Sequence, residues 1–286
     1  MSASKSPQLG SEWWIAEAAK DEAGVFTTRL NLRVAELRAE INTALATFPR
    51  TPEYFQKILN FMKRAQAMEQ EYLAWEDSLS DNWRPHTVAW VDQVPGGDIS
   101  KAEVHPGKVD MFNSVWIANI WNQSRVSRLF ISGAIVRCAA WISTPVDYRT
   151  TPEYAQAVRL CVDLTTDIIA SIPYKLGWRV GEGGALKKAD YSGFADGSAD
   201  GINSPRAIGG FFCLWPLFSL CNTDFVSDSQ RNWAKGRLIF IAETFGLNQA
   251  KILSTASVPH PFLIPFSLIS TMILIYGNSS NFVSRQ

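Results

Sequence analysis

The stretch 114–142 constrains this chain more than any other part of it. Apolar side chains recur almost all round its helical projection, Trp116, Trp121 and Trp141 among them. A helix that is apolar on every side belongs at the centre of a bundle. Arginines interrupt it, and two of them stand close together. Arg125 and Arg128 lie three residues apart and share a helix face with Trp121 and Asn122. An unpaired guanidinium inside a core is costly, so a fold built on this helix must bring acids or an anionic ligand to both positions. The planar donor fork of arginine suits either. Asp163 and Asp167, four residues apart on one face of a later helical segment, are the candidate acids.

The rest of the pattern is helical as well. Leu30, Val34, Leu37, Ile41, Leu45 and Phe48 form one apolar stripe over 28–48, opposite a solvated face of Arg29, Arg33, Glu36, Arg38 and Glu40. Pro49 and Pro52 break the pattern, and Thr51, Pro52 and Glu53 have the chemistry of a new helix start. The second helix covers 52–78, with Phe55, Ile58, Met62, Ala65, Met68, Tyr72, Trp75 and Leu79 as its stripe. The two form an antiparallel hairpin. Its seam is expected to pack internally, with homodimerisation as the other use of heptad-like spacing. Thr151-Pro152-Glu153 starts a further helix that Pro173 ends, and helical patterns return at 210–221, 228–245, 248–256 and 261–276. The last reads as a buried terminal helix, because a membrane span needs about 20 apolar residues and this one holds two prolines. Residues 83–112 read as an irregular connector with a small hairpin, given the run His86 to Val91 and the turn signals at Pro95-Gly96-Gly97 and Pro106-Gly107. Residues 177–204 are rich in Gly, Asp and Ser and read as a flexible loop. The expected fold class is all-α, a single helical-bundle domain over 25–286 behind an N-terminal lead-in over 1–24.

Charge and cysteine usage exclude several function classes. Lys+Arg and Asp+Glu are both 27, for a net charge of zero, whereas phosphate neutralisation needs clustered excess base. No direct nucleic-acid contact is therefore expected. The four cysteines, Cys138, Cys161, Cys213 and Cys221, form no C-x-x-C and sit in apolar runs, so they read as small buried hydrophobes. No metal site and no cofactor are expected. Asp190, Asp196 and Asp200 lack the closing glutamate of a calcium loop. His86, His105 and His260 make no H-x-x-x-H. No secretory leader is visible, which points to a nuclear or cytoplasmic protein without a membrane.

Several blocks resemble one family. Ser114-Val-Trp116 with Ile120-Trp-Asn122-x-x-Arg125-x-x-Arg128 is similar to the signature helix of the regulatory (middle homology) domain of fungal binuclear zinc-cluster transcription factors. The blocks Asp167 to Tyr174-x-Leu176-Gly177, Gly209 to Leu217, and Gln230-Arg-x-Trp233-x-x-Gly236-Arg237 followed by Phe245-Gly-Leu-Asn-Gln-Ala250 look like later blocks of the same domain, in the same order. The six-cysteine DNA-binding module of that family has no counterpart in these residues. The resemblance thus implies a stand-alone regulatory domain that senses a small molecule or binds a partner, and it carries over neither zinc binding nor DNA reading.

The candidate ligand site consists of Trp121, Arg125, Arg128, Trp215 and Trp233. The alternative function is an enzyme of fungal secondary metabolism, a cyclase or pericyclase using an aromatic cavity in the same fold, with His86, Asp163 and Asp167 as possible acids and bases.

Overall fold

In the computed structural model, the described residues are 22–94, 97–180, 186–188 and 205–256. The chain is mainly α. Its helices are α1 (Glu22–Thr47), α2 (Pro52–Ser78), α3 (Val115–Ser143), α4 (Pro152–Lys175), α5 (Pro205–Cys221), α6 (Asp228–Phe245) and α7 (Asn248–Thr255). Among the described residues four short strands pair as two antiparallel hairpins, β1 (His86–Val91) with β2 (Gly107–Met111) and β3 (Trp178–Val180) with β4 (Leu186–Lys188). The expected helix at 261–276, His260, the acidic positions Asp190, Asp196 and Asp200, and most of the 177–204 loop lie outside the described residues. Among the described residues α3 is long and apolar enough to cross a membrane, and most of its apolar stretch is buried, as in the core helix of a globular protein.

The single bundle expected over 25–286 is organised as two compact units, whose boundary falls within α3 after Val126 and within α4 after Cys161. The first unit contains α1, α2, the C-terminal part of α3 and the N-terminal part of α4. The α2 stripe of Ile58, Met62, Ala65, Met68, Tyr72 and Trp75 is buried inside this unit, as are Leu30, Leu37 and Ile41 of α1. One acceptor ties three helices together: Asn31 Oδ1 takes the Tyr72 hydroxyl at 2.7 Å and the Ser127 hydroxyl at 2.6 Å. Arg128 is the strongest polar anchor. Its Nε and Nη2 donate to Glu69 Oε1 at 2.9 and 2.6 Å, and its Nη1 donates to Glu76 Oε1 at 2.7 Å. Burial pushes the Glu69 carboxyl up from its ordinary range even though Arg128 pulls it down.

The α1 polar face needs correction. Arg33 pairs with Glu71 and Arg64 with Glu40 near the surface, where such pairs are worth little. Arg38, read as solvated, is instead buried, with its guanidinium 4.3 Å from the Phe130 ring centroid. Burial and the nearby Arg137 charge bring its pKa down to about 10. The reason is that α1 meets α3 as well as α2, and an arginine flattened on an aromatic face fills that second seam.

The second unit holds the N-terminal part of α3, the β1–β2 hairpin, the C-terminal part of α4, and α5 to α7. The hairpin pairs His86 with Met111 and Val91 with Gly107, with a bulge between Thr87 and Ala89. Phe112, Ala118, Trp121 and Tyr174 form a buried apolar cluster. Pro173 does not end α4, which runs on to Lys175. A proline near the C-terminus removes one donor but leaves the last carbonyls usable, and the turn closes as Leu176 N–H donates to Ile172 O at 3.0 Å. Gly177 then reverses the chain with a φ of 98°, a value that favours glycine. Ser227 and Gln230 form a reciprocal capping box at the start of α6, and Gly246 closes it in the left-handed region.

Breaking the buried Arg128 contacts should leave Glu69 charged without its partner. Arg128→Ala is expected to cost about 3–5 kcal/mol, measured by urea unfolding at neutral pH. An acid with a raised folded pKa stabilises the fold at low pH and loses that contribution as pH rises through the folded value. The loss in Arg128→Ala should therefore shrink as the pH is lowered toward 5.

Candidate functional site

The polar centre of the second unit is built around Arg125. Helical spacing on α3 sets Asn122 and Arg125 on one face, and spacing on α4 does the same for Asp167 and Ser171. Asn122 Nδ2 donates to Ser171 Oγ at 2.8 Å, and Ser171 Oγ donates to Ile168 O at 2.7 Å. Arg125 is 2% exposed. Its Nη1 donates to Asn122 Oδ1 at 3.2 Å and to the Asp167 main-chain oxygen at 3.1 Å, while Nη2 lies 3.6 Å from Asp167 Oδ2. Strand β2 adds two more charges. Lys108 Nζ sits 2.6 Å from Asp167 Oδ1 and 3.5 Å from Asp110 Oδ2. Asp110 is buried, and its Oδ1 accepts from Thr87 across the hairpin at 2.7 Å.

Lys175 is the last residue of α4. It is 1% exposed, and its Nζ has no hydrogen-bond partner among the described residues. Cys213 and Arg125 are the groups that act on it electrostatically. Burial brings its pKa down to about 8, and the Arg125 charge adds to that lowering. All four cysteines are free and buried, and burial pushes their thiols up to about 12. None is a thiolate at neutral pH.

The residues singled out from sequence fall in different settings. Trp121 is buried in the Arg125 centre: its Nε1 donates to Trp83 O at 2.6 Å, and the Arg125 guanidinium lies 5.3 Å from its ring centroid. Asp167 is the acid that Arg125 uses. Arg128 belongs to the first unit and pairs with Glu69 and Glu76 rather than with Asp163 or Asp167. Asp163 is exposed, one turn before Asp167 on the outer side of α4. Trp215 is buried beside Phe218 on its own helix, with ring centroids 5.8 Å apart. Trp233 is wholly buried, donates from Nε1 to Ala102 O at 3.0 Å, and takes the His105 ring edge-on at 5.7 Å. His86 is exposed on β1, as is Trp90 at 68%, so these two do not enclose an aromatic pocket.

Sequence reasoning missed Lys108, Asp110, Ser171 and Lys175. A lysine at the end of an apolar helical run was the available signal for Lys175. Nothing local marks Lys108, whose role depends on the hairpin register.

The family-like blocks turn out to be contact surfaces. Trp233, Gly236 and Arg237 of α6 all face the turn at 99–102. Arg237 donates to Lys101 O at 3.1 Å. A Cβ at Gly236 would sit 1.7 Å from Ser100 O, and one at Gly209 would sit 2.2 Å from Lys175 O.

The chain is similar to a fungal transcription factor. Over 212 residues, 74% of this chain, it is 27% identical to transcription factor dbaG of Emericella nidulans. The matched stretch is 47% of that protein, so the chain spans about half the length of this curated relative. No protein-family model and no solved structure matches. The likeness supports a domain related to a fungal transcription factor, and this fits the resemblance seen in the sequence blocks.

Two stability outcomes follow from the geometry. Gly236→Ala should cost about 1–3 kcal/mol or more through overpacking against Ser100, read as a drop in the urea midpoint. For Lys175 the folded pKa lies below the ordinary 10.5, so its stabilising contribution is present above pH 10.5 and is lost as pH falls through about 8. The difference in unfolding free energy between the native chain and Lys175→Met should therefore change by about 3 kcal/mol between pH 10.5 and 7.5, to the native chain's disadvantage at the lower pH.

Proposed function

We propose that this chain is a regulatory domain of the fungal transcription-factor type, that it works in the nucleus, and that it responds to a small molecule through the polar centre around Arg125. The observation that carries the reading is the match to transcription factor dbaG over 74% of the chain. A net charge of zero supports a further part of the proposal, that these residues influence transcription without themselves contacting DNA. The polar centre supports the sensing role. Arg125, Asp167 and Lys108 hold one another across α3, α4 and β2, so a bound ligand that redistributes their pairing would shift the packing of three elements at once.

The test is a fusion of the chain to a heterologous DNA-binding domain, placed upstream of a reporter gene in a fungal host. Reporter output is expected to differ several-fold from that of the DNA-binding domain alone. Arg125→Ala or Asp167→Asn should alter that difference while the fusion remains nuclear and folded. An output equal to that of the DNA-binding domain alone, with the fusion in the nucleus, would overturn the regulatory reading. Tight binding of the isolated chain to duplex DNA at physiological salt would overturn the absence of direct contact.

A further inference from the structure

The link between α1 and α2 nearly repeats the sequence that opens α4. Arg50-Thr51-Pro52-Glu53-Tyr54 leads into α2, and Arg149-Thr150-Thr151-Pro152-Glu153-Tyr154 leads into α4. Both stretches belong to the first unit. The two threonines before the prolines are used differently. The Thr151 hydroxyl donates to Tyr148 O at 2.6 Å and accepts from the Tyr154 N–H at 3.3 Å, and the residue is partly buried. Thr51 is held through its main chain: its N–H donates to Pro49 O at 2.9 Å, and its carbonyl accepts from the Phe55 N–H at 2.9 Å. Its hydroxyl makes no hydrogen bond among the described residues. A third pair of this kind is Thr144-Pro145, and there the hydroxyl donates to Ala140 O at 2.8 Å. Ser6 and Ser204, also followed by proline, lie outside the described residues.

The surroundings of Thr51 are open as well. Pro49, Arg50, Thr51, Pro52 and Glu53 are all exposed, whereas Ser143 before Thr144 and Thr151 itself are partly buried. The contacts that bracket the link leave Thr51 and Pro52 out: the Phe48 ring lies 4.4 Å from that of Tyr54, and Arg50 reaches across to Thr144 O at 3.2 Å and to the Trp141 ring. Proline confines the residue before it to extended backbone, the form in which a peptide lies in a protein-kinase cleft. The φ of proline itself fits the first position of a helix and an extended chain alike. Drawing Thr51-Pro52 into such a cleft therefore disturbs the Phe55 N–H bond to Thr51 O at a helix end, where local opening is easiest.

We propose that Thr51 is a phosphoacceptor for a protein kinase that requires proline directly after the modified residue. In the transfer Thr51 Oγ1 bonds to the γ-phosphorus of magnesium ATP as the bond from that phosphorus to its bridging oxygen breaks. ADP leaves with the bonding electrons, and the hydroxyl proton passes to the catalytic aspartate of the kinase. The product carries about two negative charges at neutral pH, placed on the exposed link of a chain whose net charge is zero. The site does not depend on the regulatory reading.

The experiment incubates the purified full chain with magnesium ATP and a proline-directed kinase of the mitogen-activated class, and maps phosphate by peptide mass spectrometry over time. An established substrate of that kinase, run alongside, fixes its activity. Thr51 is expected to be modified at least tenfold faster than Thr144 or Thr151. Thr51→Val keeps the side-chain shape and removes no hydrogen bond, so it should remove that phosphate and leave the melting temperature unchanged. Pro52→Ala keeps the hydroxyl and a good helix former, and should slow modification of Thr51 at least tenfold. A folded native chain left unmodified at Thr51 while the control substrate is consumed would overturn the site. Equal rates at Thr51 and Thr151 would overturn the selectivity that follows from their different hydroxyls. An unchanged rate in Pro52→Ala would overturn the class of kinase. A marked fall in melting temperature in Thr51→Val would overturn the unengaged hydroxyl on which the site stands.

Discussion

Two arginines one turn apart on an apolar helix set the terms for everything packed against them. Arg125 and Arg128 cannot both reach the surface from α3, and a buried guanidinium that loses its partner costs more than the pair is worth when intact. Acids must therefore be delivered to both. Arg128 receives Glu69 and Glu76 from α2 in the first unit. Arg125 receives Asp167 from α4 in the second, with Asn122 and Ser171 completing the hydrogen bonding. Each compact unit thus has one α3 arginine at its polar centre. The acids on α2 and α4 that look like ordinary helix-surface residues are fixed in place by this demand.

The blocks that resemble a fungal regulatory domain have a common physical meaning. They are positions where backbones approach closely or where a buried donor reaches a distant carbonyl. Trp121 donates to Trp83 O and Trp233 to Ala102 O. Gly236 and Gly209 lie where a side chain would collide with the carbonyls of Ser100 and Lys175. These contacts tolerate few other residues, because an indole that loses its acceptor or a glycine that gains a methyl forces the neighbouring turn to move. The tryptophan richness of the chain is in this part structural. Indoles here are buried beams with a polar end, and the charged group of the second unit lies between α3, α4 and β2.

Helix positions were legible from sequence because their signals are local. The stripe of α2 and the breaks at Pro49 and Pro52 place that helix at 52–78, and it is Pro52–Ser78 in the fold. The run His86 to Val91 is likewise a strand. Where the sequence misled at Arg38, a second packing partner was the cause. Arg38 sits on a face that looks solvated when α1 is matched to one neighbour, yet it lies on Phe130 of another. Pro173 looks like a terminus, but a proline within the last turn forfeits a single donor and α4 continues to Lys175.

Partner choice was not legible. The need of Arg125 and Arg128 for anions follows from composition and helical periodicity alone. Which acids answer it depends on residues 59 and 52 positions away for Arg128, and on a strand register that brings Lys108 to Asp167. Asp163 and Asp167 share a face of α4, yet one is exposed and the other meets Arg125 and Lys108, because packing decides which turn along that face is covered. Lys175 shows the limit most clearly. A lysine at a helix end is ordinarily a surface residue that favours the helix dipole. The sequence by itself determined that the chain is helical and that α3 carries arginines in need of partners. Only the tertiary structure decided that the Lys175 ammonium would be buried without one among the described residues, because burial belongs to the surrounding elements and not to the residue.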